Sequence, residues 1–296
     1  MISRVTNSAL MRTAQRNLQA NLSNMAKLQD QATSQKLISK PSDDPTGTTT
    51  AMAVRGEQRA TSQYTRNANN GNNWLTTIDS SLASTTTIMN RVRDLTVQGA
   101  NDGSMSASAK EAIAVELEGL RSDLLKEANT KYLGRNVYAG NSDAAGAFID
   151  VAGVLTYTGT GSAVARQVAA NSSVRVDSNG AEVFGTGATS VFTLVDNLVS
   201  DLRSGVNVGS RLAEIDTRMK AITDQQTDVG ARQSQIEKAQ ESLVSSATTL
   251  ENQRSSIEDV DLAKVILELK QAQVNYQASL QITAGVLQPT LMDFLN

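Results

Sequence analysis

The sequence predicts a mainly α-helical protein with a small β-rich insertion, built as a long antiparallel helical bundle or coiled coil. Three observations carry that expectation: an unbroken heptad seam in the second half, apolar stripes at helical spacing elsewhere, and a central stretch where the spacing changes to short strand-like runs. Composition agrees. The 296 residues include only four Phe, five Tyr, one Trp and three Pro. Burial must therefore come from Leu, Ile, Val, Met and Ala in thin layers, which suits helical rods better than a broad core.

The first stripe comprises Met11, Ala14, Leu18, Leu22, Met25, Leu28 and Ala32. In the run Ser42, Asp43, Asp44, Pro45, Asp44 can cap a helix and Pro45 can take its first position, so a helix is expected to start near Thr46. Leu75, Ile78, Leu82, Met89 and Val92 continue in three- and four-residue steps, and Ile113, Leu117, Leu120, Leu124 and Ala128 repeat the pattern. Asn101, Asp102 and Gly103 mark the turn between these helices, and Ser108 with Glu111 has the spacing of a capping box.

From Tyr132 to Gly187 the runs are short. Val154 to Tyr157 and Ser173 to Val176 read as strands, Gly159 and Gly161 as breaks, and Ser178-Asn179-Gly180 as a turn between strand-like runs. Val191 to Leu202 returns to helical spacing. Val208, Ile215, Ile222, Val229, Ile236, Leu243, Leu250 and Ile257 then form the heptad seam, with Leu212, Met219 and Ala247 between them and Gln226, Gln233 and Gln240 interrupting the second row. A helix over this seam would extend about 75 Å at the usual rise. Ser255 and Glu258 form another capping-box pattern, which would place Glu258, Asp259 and Asp261 near a fresh helix start. The last stripe is Leu262, Ile266, Leu269, Tyr276, Leu280, Leu287 and Phe294.

These patterns divide the chain into terminal helices, residues 1–40 and 262–296; a discontinuous rod, residues 41–137 and 188–261; and a β-rich domain, residues 138–187. Too little protein remains to cover the terminal stripes, so they are expected to be buried between subunits.

Several function classes are excluded. With neither Cys nor His, the chain lacks the usual zinc ligands, the Ser-His and Cys-His pairs, and any disulfide. The 27 basic and 30 acidic residues are interspersed, so no basic patch invites nucleic acid. No run of about 18 apolar residues spans a membrane. Met1 to Ala14 has no apolar core of a secretory signal. Gly159-Thr160-Gly161-Ser162 lacks the third glycine of a dinucleotide loop, and Glu258, Asp259 and Asp261 lack the interleaved ligands of a calcium loop, so no cofactor or metal is expected. Trp74 beside Leu75 is read as packing. Asp143, Asp150, Asp177 and Glu182 make no convergent carboxylate pair, so no catalytic residues are assigned and no enzyme is expected.

Five runs carry a resemblance. Ser42-Asp43-Asp44-Pro45 with Gly47, then Gln63, Tyr64, Asn67 and Ala68, then Arg91-Val92-Arg93-Asp94-Leu95-Thr96-Val97-Gln98 resemble the bacterial flagellin superfamily. So do Ser256-Ile257-Glu258-Asp259-Val260-Asp261-Leu262-Ala263 and Gln277-Ala278-Ser279-Leu280-Gln281. Gly134-Arg135-Asn136-Val137-Tyr138-Ala139-Gly140 and the ending Leu291-Met292-Asp293-Phe294-Leu295 are similar to the branch that joins hook to filament, although Asn136 and Val137 stand where Tyr-Leu is commoner. The resemblance implies a secreted structural subunit of the flagellum, exported unfolded by the type III apparatus without a cleaved signal. Its terminal helices would pair in an inner tube and its β domain would project outward. Expected partners are a ring of its own copies, the first hook-associated protein, flagellin and an export chaperone. Flagellin itself is the nearest alternative, and a secreted coiled-coil adhesin a more distant one.

Overall fold

The computed structural model describes residues 2–101, 105–151, 154–160 and 162–287, the side chains of residues 2–8, 10 and 285–287 excepted. The expectations placed on Asp102, Gly103, Gly161, the Leu287 side chain, Phe294 and the ending from Leu291 to Leu295 lie outside the described residues. The chain divides into two compact units, Met1–Ala60 with Ala247–Asn296, and Thr61–Ser246. The helices are α1 (Ile2–Ser34), α2 (Pro45–Ala100), α3 (Ala107–Ala128), α4 (Gly180–Phe184), α5 (Val191–Ser204), α6 (Leu212–Glu258) and α7 (Leu262–Leu287). The strands are β1 (Lys131–Tyr132), β2 (Arg135–Asn136), β3 (Phe148–Val151), β4 (Val154–Tyr157), β5 (Ala165–Ala169) and β6 (Ser172–Arg175). The fold is therefore the expected one, long helices with a small β-rich insertion.

In the second unit, the heptad residues Ile215, Ile222, Val229, Ile236 and Leu243 of α6 are buried with Leu75, Ile78, Leu82, Met89 and Val92 of α2 in one continuous core. The two helices run antiparallel, since Gln240 donates to Asn69 at 2.8 Å, Gln226 donates to Asp79 at 3.3 Å and Arg93 reaches Asp216 at 2.9 Å. Two of the glutamines that interrupt the seam thus make cross-helix hydrogen bonds, which satisfies their amides where a second apolar row would otherwise sit. Gly71 permits the close approach: a Cβ there would lie 3.0 Å from Ile236 Cδ1 and 3.1 Å from Val176 Cγ1. Ile113, Leu117 and Leu124 of α3 and Leu194, Val195 and Leu198 of α5 complete the helical layer.

The insertion is three separate antiparallel hairpins, β1–β2, β3–β4 and β5–β6, the last with a bulge at Gln167 to Ala169. The scarce aromatics gather beneath them. Phe148 meets Phe192 and Tyr157 at 5.2 Å, and Tyr138 meets Phe184 edge-on at 5.2 Å. Thin aliphatic layers describe the helices; here the core is built from aromatic rings packed edge to face, tilted and, for Phe184 on Phe192, stacked. Burial drives the Tyr138 hydroxyl well above the ordinary phenol range. Trp74 is buried against Tyr132 at 5.5 Å, with the Arg166 guanidinium 5.6 Å over its ring, so it packs as expected.

Local start and stop signals needed four corrections. Asn179 begins no strand-to-strand turn; its side chain accepts from Ala181 N and caps α4. The cap of α3 is Ser106, accepting from Ala109 N at 3.2 Å, because Ser108 already lies inside the helix and Glu111 is taken by Arg203. Val208 stands in a 3-10 turn, Val208–Arg211, capped by Asn207, so the α-helix starts at Leu212. Ser255 and Glu258 do not open the last helix: α6 continues through both, and Asp261 caps α7 by accepting from Ala263 N at 3.0 Å and Lys264 N at 3.2 Å. A capping box requires a break in the preceding helix. Ile257 is still half-buried on the seam, so none occurs there.

Candidate functional site: an assembly surface on the terminal helices

Helices α1 and α7 pack against each other, antiparallel, since Asn21 donates to Ser279 at 2.9 Å while Val260 N donates to Gln35 O at 3.2 Å. Leu28, Val265 and Ala272 are the buried residues of this pair, with Met25, Ala32, Val260 and Leu269 packed around them. Of the residues assigned to assembly from sequence, Leu28 is buried in the chain itself, while Leu18, Met25, Leu269 and Tyr276 are half-buried. Met11, Leu22, Leu262, Ile266 and Leu280 remain exposed.

Sequence reasoning missed the most exposed part of α7. Leu267, Val274 and Ile282 are 73%, 60% and 69% exposed, opposite the face that Val265 and Ala272 bury. The signal was present in the run Val265-Ile266-Leu267, since a helix that is apolar all round is a buried helix. Reading a single stripe hid it. Covering each such side chain would contribute about 1.5–3 kcal/mol, so these exposed residues constitute a large unused driving force for association.

The family-type motifs build the joint at the inner end of this pair. Gln35 ends α1 at φ +57, and Leu37 N donates to Glu258 O at 2.7 Å. Ser42 lies exposed in the turn that follows. Asp43 accepts from Lys40 N at 2.9 Å, and Asp44 accepts from Gly47 N at 2.9 Å, capping α2 at Pro45 as expected. The Glu258 carboxylate, nearly buried, receives Arg55 at 2.6 Å and Arg254 at 3.4 Å. Arg254 also holds Asp259 at 3.1 Å and Glu251 at 2.8 Å. The Arg55 hydrogen bond holds the Glu258 carboxyl below its ordinary value against the opposing effect of burial, and a Ser255 hydrogen bond with Arg254 does the same for Asp259. A cleft of about 370 Å³ opens beside this joint, lined by Lys36, Ile38, Lys40, Met52, Arg55 and Glu258 among others.

The remaining motif residues lie in the second unit. Arg91 pairs with Glu116 at 2.6 Å, Arg93 pairs with Asp216, and Leu95, two residues further along, is buried. They tie α2 to α3 and α6 with exposed pairs of small individual energy. Among the described residues there is no group of three or more His, Cys, Asp or Glu that could hold a metal, and no helix long and apolar enough to cross a membrane. What the described residues do offer is exposed apolar side chains on α7, Leu267, Val274 and Ile282 foremost.

Long antiparallel helices, paired chain ends and a central insertion define a class of self-assembling helical subunits. Residues 5–143 match the family description "Bacterial flagellin N-terminal helical region", and residues 212–295 match "Bacterial flagellin C-terminal helical region". The chain belongs to the bacterial flagellin family. It is similar to the flagellar filament 33 kDa core protein of Treponema phagedenis, 26% identical over 94% of this chain and 93% of that one. It is also similar to flagellar hook-associated protein 3 of Escherichia coli, 26% identical over 67% of this chain and 61% of that one. Its fold resembles that of a Vibrio parahaemolyticus protein assigned as flagellar hook-associated, with a TM-score of 0.69 at 20% identity over 73% of this chain and all of the other. The chain is a structural component of the flagellum, carried outside the cell and assembled with other flagellar components; it is not an enzyme.

Proposed function

We propose that this subunit forms the junction between hook and filament, as a ring of its own copies on which flagellin polymerises. Residues 1–40 and 262–296 then lie in the inner tube, residues 41–137 and 188–261 form the rod, and residues 138–187 face outward. The observation that carries assembly is the exposed apolar face of α7, with Ile266, Leu267, Val274, Leu280 and Ile282 uncovered on a helix whose other side is already packed. Its cover is another subunit, through Met11, Leu18 and Leu22 on α1 and Leu262, Ile266, Tyr276 and Leu280 on α7. Support for the junction, over other positions in the flagellum, comes from the likeness to hook-associated protein 3 and from the entry to the insertion, Gly134 to Gly140, which resembles the branch that joins hook to filament. The neighbours are the first hook-associated protein on one side and flagellin on the other. Export proceeds unfolded through the type III apparatus with a dedicated chaperone. Deleting the gene in a motile cell should leave hooks intact, remove filaments and shed flagellin into the medium. Continued filament growth would reject the junction role.

A second reading, the filament subunit itself, is favoured by the filament protein of Treponema phagedenis, which aligns over nearly its whole length. Gold labelling separates the two: a label along the whole filament supports this reading, and a label confined to the hook end supports the junction.

A further inference from the structure

The two long helices of the second unit face each other but differ as helix formers. From Asn67 to Thr87, 15 of the 21 residues of α2 are Asn, Gly, Thr, Ser or Asp. Such side chains compete with the helix through short polar groups of their own, and Gly71 keeps too much backbone freedom. All five threonines of the stretch, Thr76, Thr77, Thr85, Thr86 and Thr87, donate to the carbonyl four residues earlier at 2.8–3.0 Å, a bond that slightly destabilises a helix. Asp79 is the only charged residue in the stretch, so no ion pair along the helix supports it. The facing part of α6 is the reverse. From Lys220 to Gln240, 12 residues are Ala, Glu, Gln, Lys or Arg, against two in the α2 stretch, and Lys220 with Asp224 and Asp228 with Arg232 pair one turn apart.

Yet α2 is an unbroken helix, and what holds it is long-range. Trp74, Leu75, Ile78 and Leu82 are buried in the common core. Asn67 donates to Gln167 O at 2.9 Å, Asn69 accepts from Gln240 at 2.8 Å, and Asn70 accepts from Arg166 at 2.8 Å. These three partners lie 96 to 171 residues further along the chain. The same asparagines that weaken the helix locally are thus satisfied only once α6 and the β5–β6 hairpin are in place.

We propose that this imbalance sets the order of folding: α6 becomes helical first, and residues 67–87 turn helical only on its apolar seam. A helix with unfavourable local preferences is populated only when tertiary packing offsets them, whereas α6 carries its own local support. A chain synthesised from its N-terminus therefore keeps residues 67–87 open until the residues up to Gln240 exist. That open state suits unfolded export, although the folding order itself stands without that route.

The test is the refolding and unfolding kinetics of the full chain, read by Trp74, which is the only tryptophan and lies within the stretch. Alanine and glycine variants are compared at exposed sites, Ser80 and Ser84 in α2 and Gln235 and Lys238 in α6. Each change from Ala to Gly shifts the folding equilibrium about fivefold. At Gln235 and Lys238 most of that shift should appear as slower refolding. At Ser80 and Ser84 it should appear as faster unfolding, with refolding unchanged within about twofold. A loss in refolding at Ser80 and Ser84 as large as that in α6, or a loss confined to unfolding at every site, would overturn the proposal. A further variant can only strengthen α2: Asn73→Ala, Thr76→Ala, Ser80→Ala and Ser84→Ala combined, all at exposed positions. Slower unfolding at an unchanged refolding rate supports the order; faster refolding at an unchanged unfolding rate places α2 in the nucleus and overturns it.

Discussion

The two units of the molecule use similar helices to opposite ends. In residues 61–246, α2, α3, α5 and α6 bury their apolar residues in one continuous core that includes Trp74, Tyr138, Phe184 and Phe192. In the other unit, the α1–α7 pair buries Leu28, Val265 and Ala272 and leaves Leu267, Val274, Leu280 and Ile282 to solvent. The contrast teaches where stability and assembly reside. A side chain with a complete set of neighbours contributes to folding of the monomer, whereas an equally apolar one without them contributes only when a partner arrives.

The largest expected effect is on assembly. Leu280→Asp should abolish incorporation and motility while leaving the unfolding of residues 61–246 unchanged, because a charge would be buried without a partner only in the assembled state. Swimming at wild-type speed would contradict it. Hydrogen exchange on the dilute monomer sharpens the same comparison: amides of α1 and α7 should exchange orders of magnitude faster than those of α2 from Trp74 to Val92. Equal protection would mean that the pair is stable without neighbours.

Next in size is Phe184→Ala. Phe184 is fully buried, within 6.1 Å of Phe192 and 5.7 Å of Phe148 by ring centroids. Its removal should destabilise the second unit by about 3–5 kcal/mol, measured by denaturant unfolding. A loss below about 1 kcal/mol would show that the aromatic cluster can collapse around the cavity.

What was legible from sequence follows the same division. The heptads from Ile215 to Leu243, the cap at Asp44 and the strand Val154 to Tyr157 declare themselves because local period and burial agree. The helix from Val191 to Leu202 is legible from its spacing, but its cap at Ser190, which accepts from Thr193 N, is not. The signals that misled were pairs of small polar and acidic residues taken without their backbone context. Ser255 with Glu258, and Ser108 with Glu111, have the spacing of a box, yet both glutamates are committed to arginines distant in sequence, Arg55 and Arg203. Long-range ion pairs leave no periodic trace. The exposed face of α7 was hidden for another reason: one-stripe logic discards Leu267 and Val274, which fall between the predicted positions.

The joint at Glu258 gives a smaller effect with a pH signature. Its folded carboxyl titrates below its unfolded value because Arg55 and Arg254 stabilise the charged form. This contribution is fully present above the unfolded value, about 4.3, and is lost as pH falls through the depressed folded value. Stability of the first unit should therefore decline below about pH 4, and Glu258→Gln should flatten that decline while costing about 1–2 kcal/mol at pH 7. Arg55 is half-exposed, which keeps the figure below that of a fully buried pair. An unchanged acid limb in the variant would assign the decline to other carboxylates.

The smallest effect concerns the end of α1. Gln35 adopts φ +57, and its carbonyl accepts from Val260 N, so the backbone conformation is fixed by the joint while the side chain stays exposed. Glycine is favoured at such a helix end because it lacks the Cβ penalty. Against that gain stands the greater freedom of glycine in the unfolded chain, worth about 0.4–1 kcal/mol. Gln35→Gly should thus stabilise the α1–α7 pair by no more than about 1 kcal/mol and slow its hydrogen exchange slightly, with no change in residues 61–246. Faster exchange in α1 and α7 would mean that the glutamine is held there by an interaction of its own, and that the joint is stiffer than its backbone geometry requires.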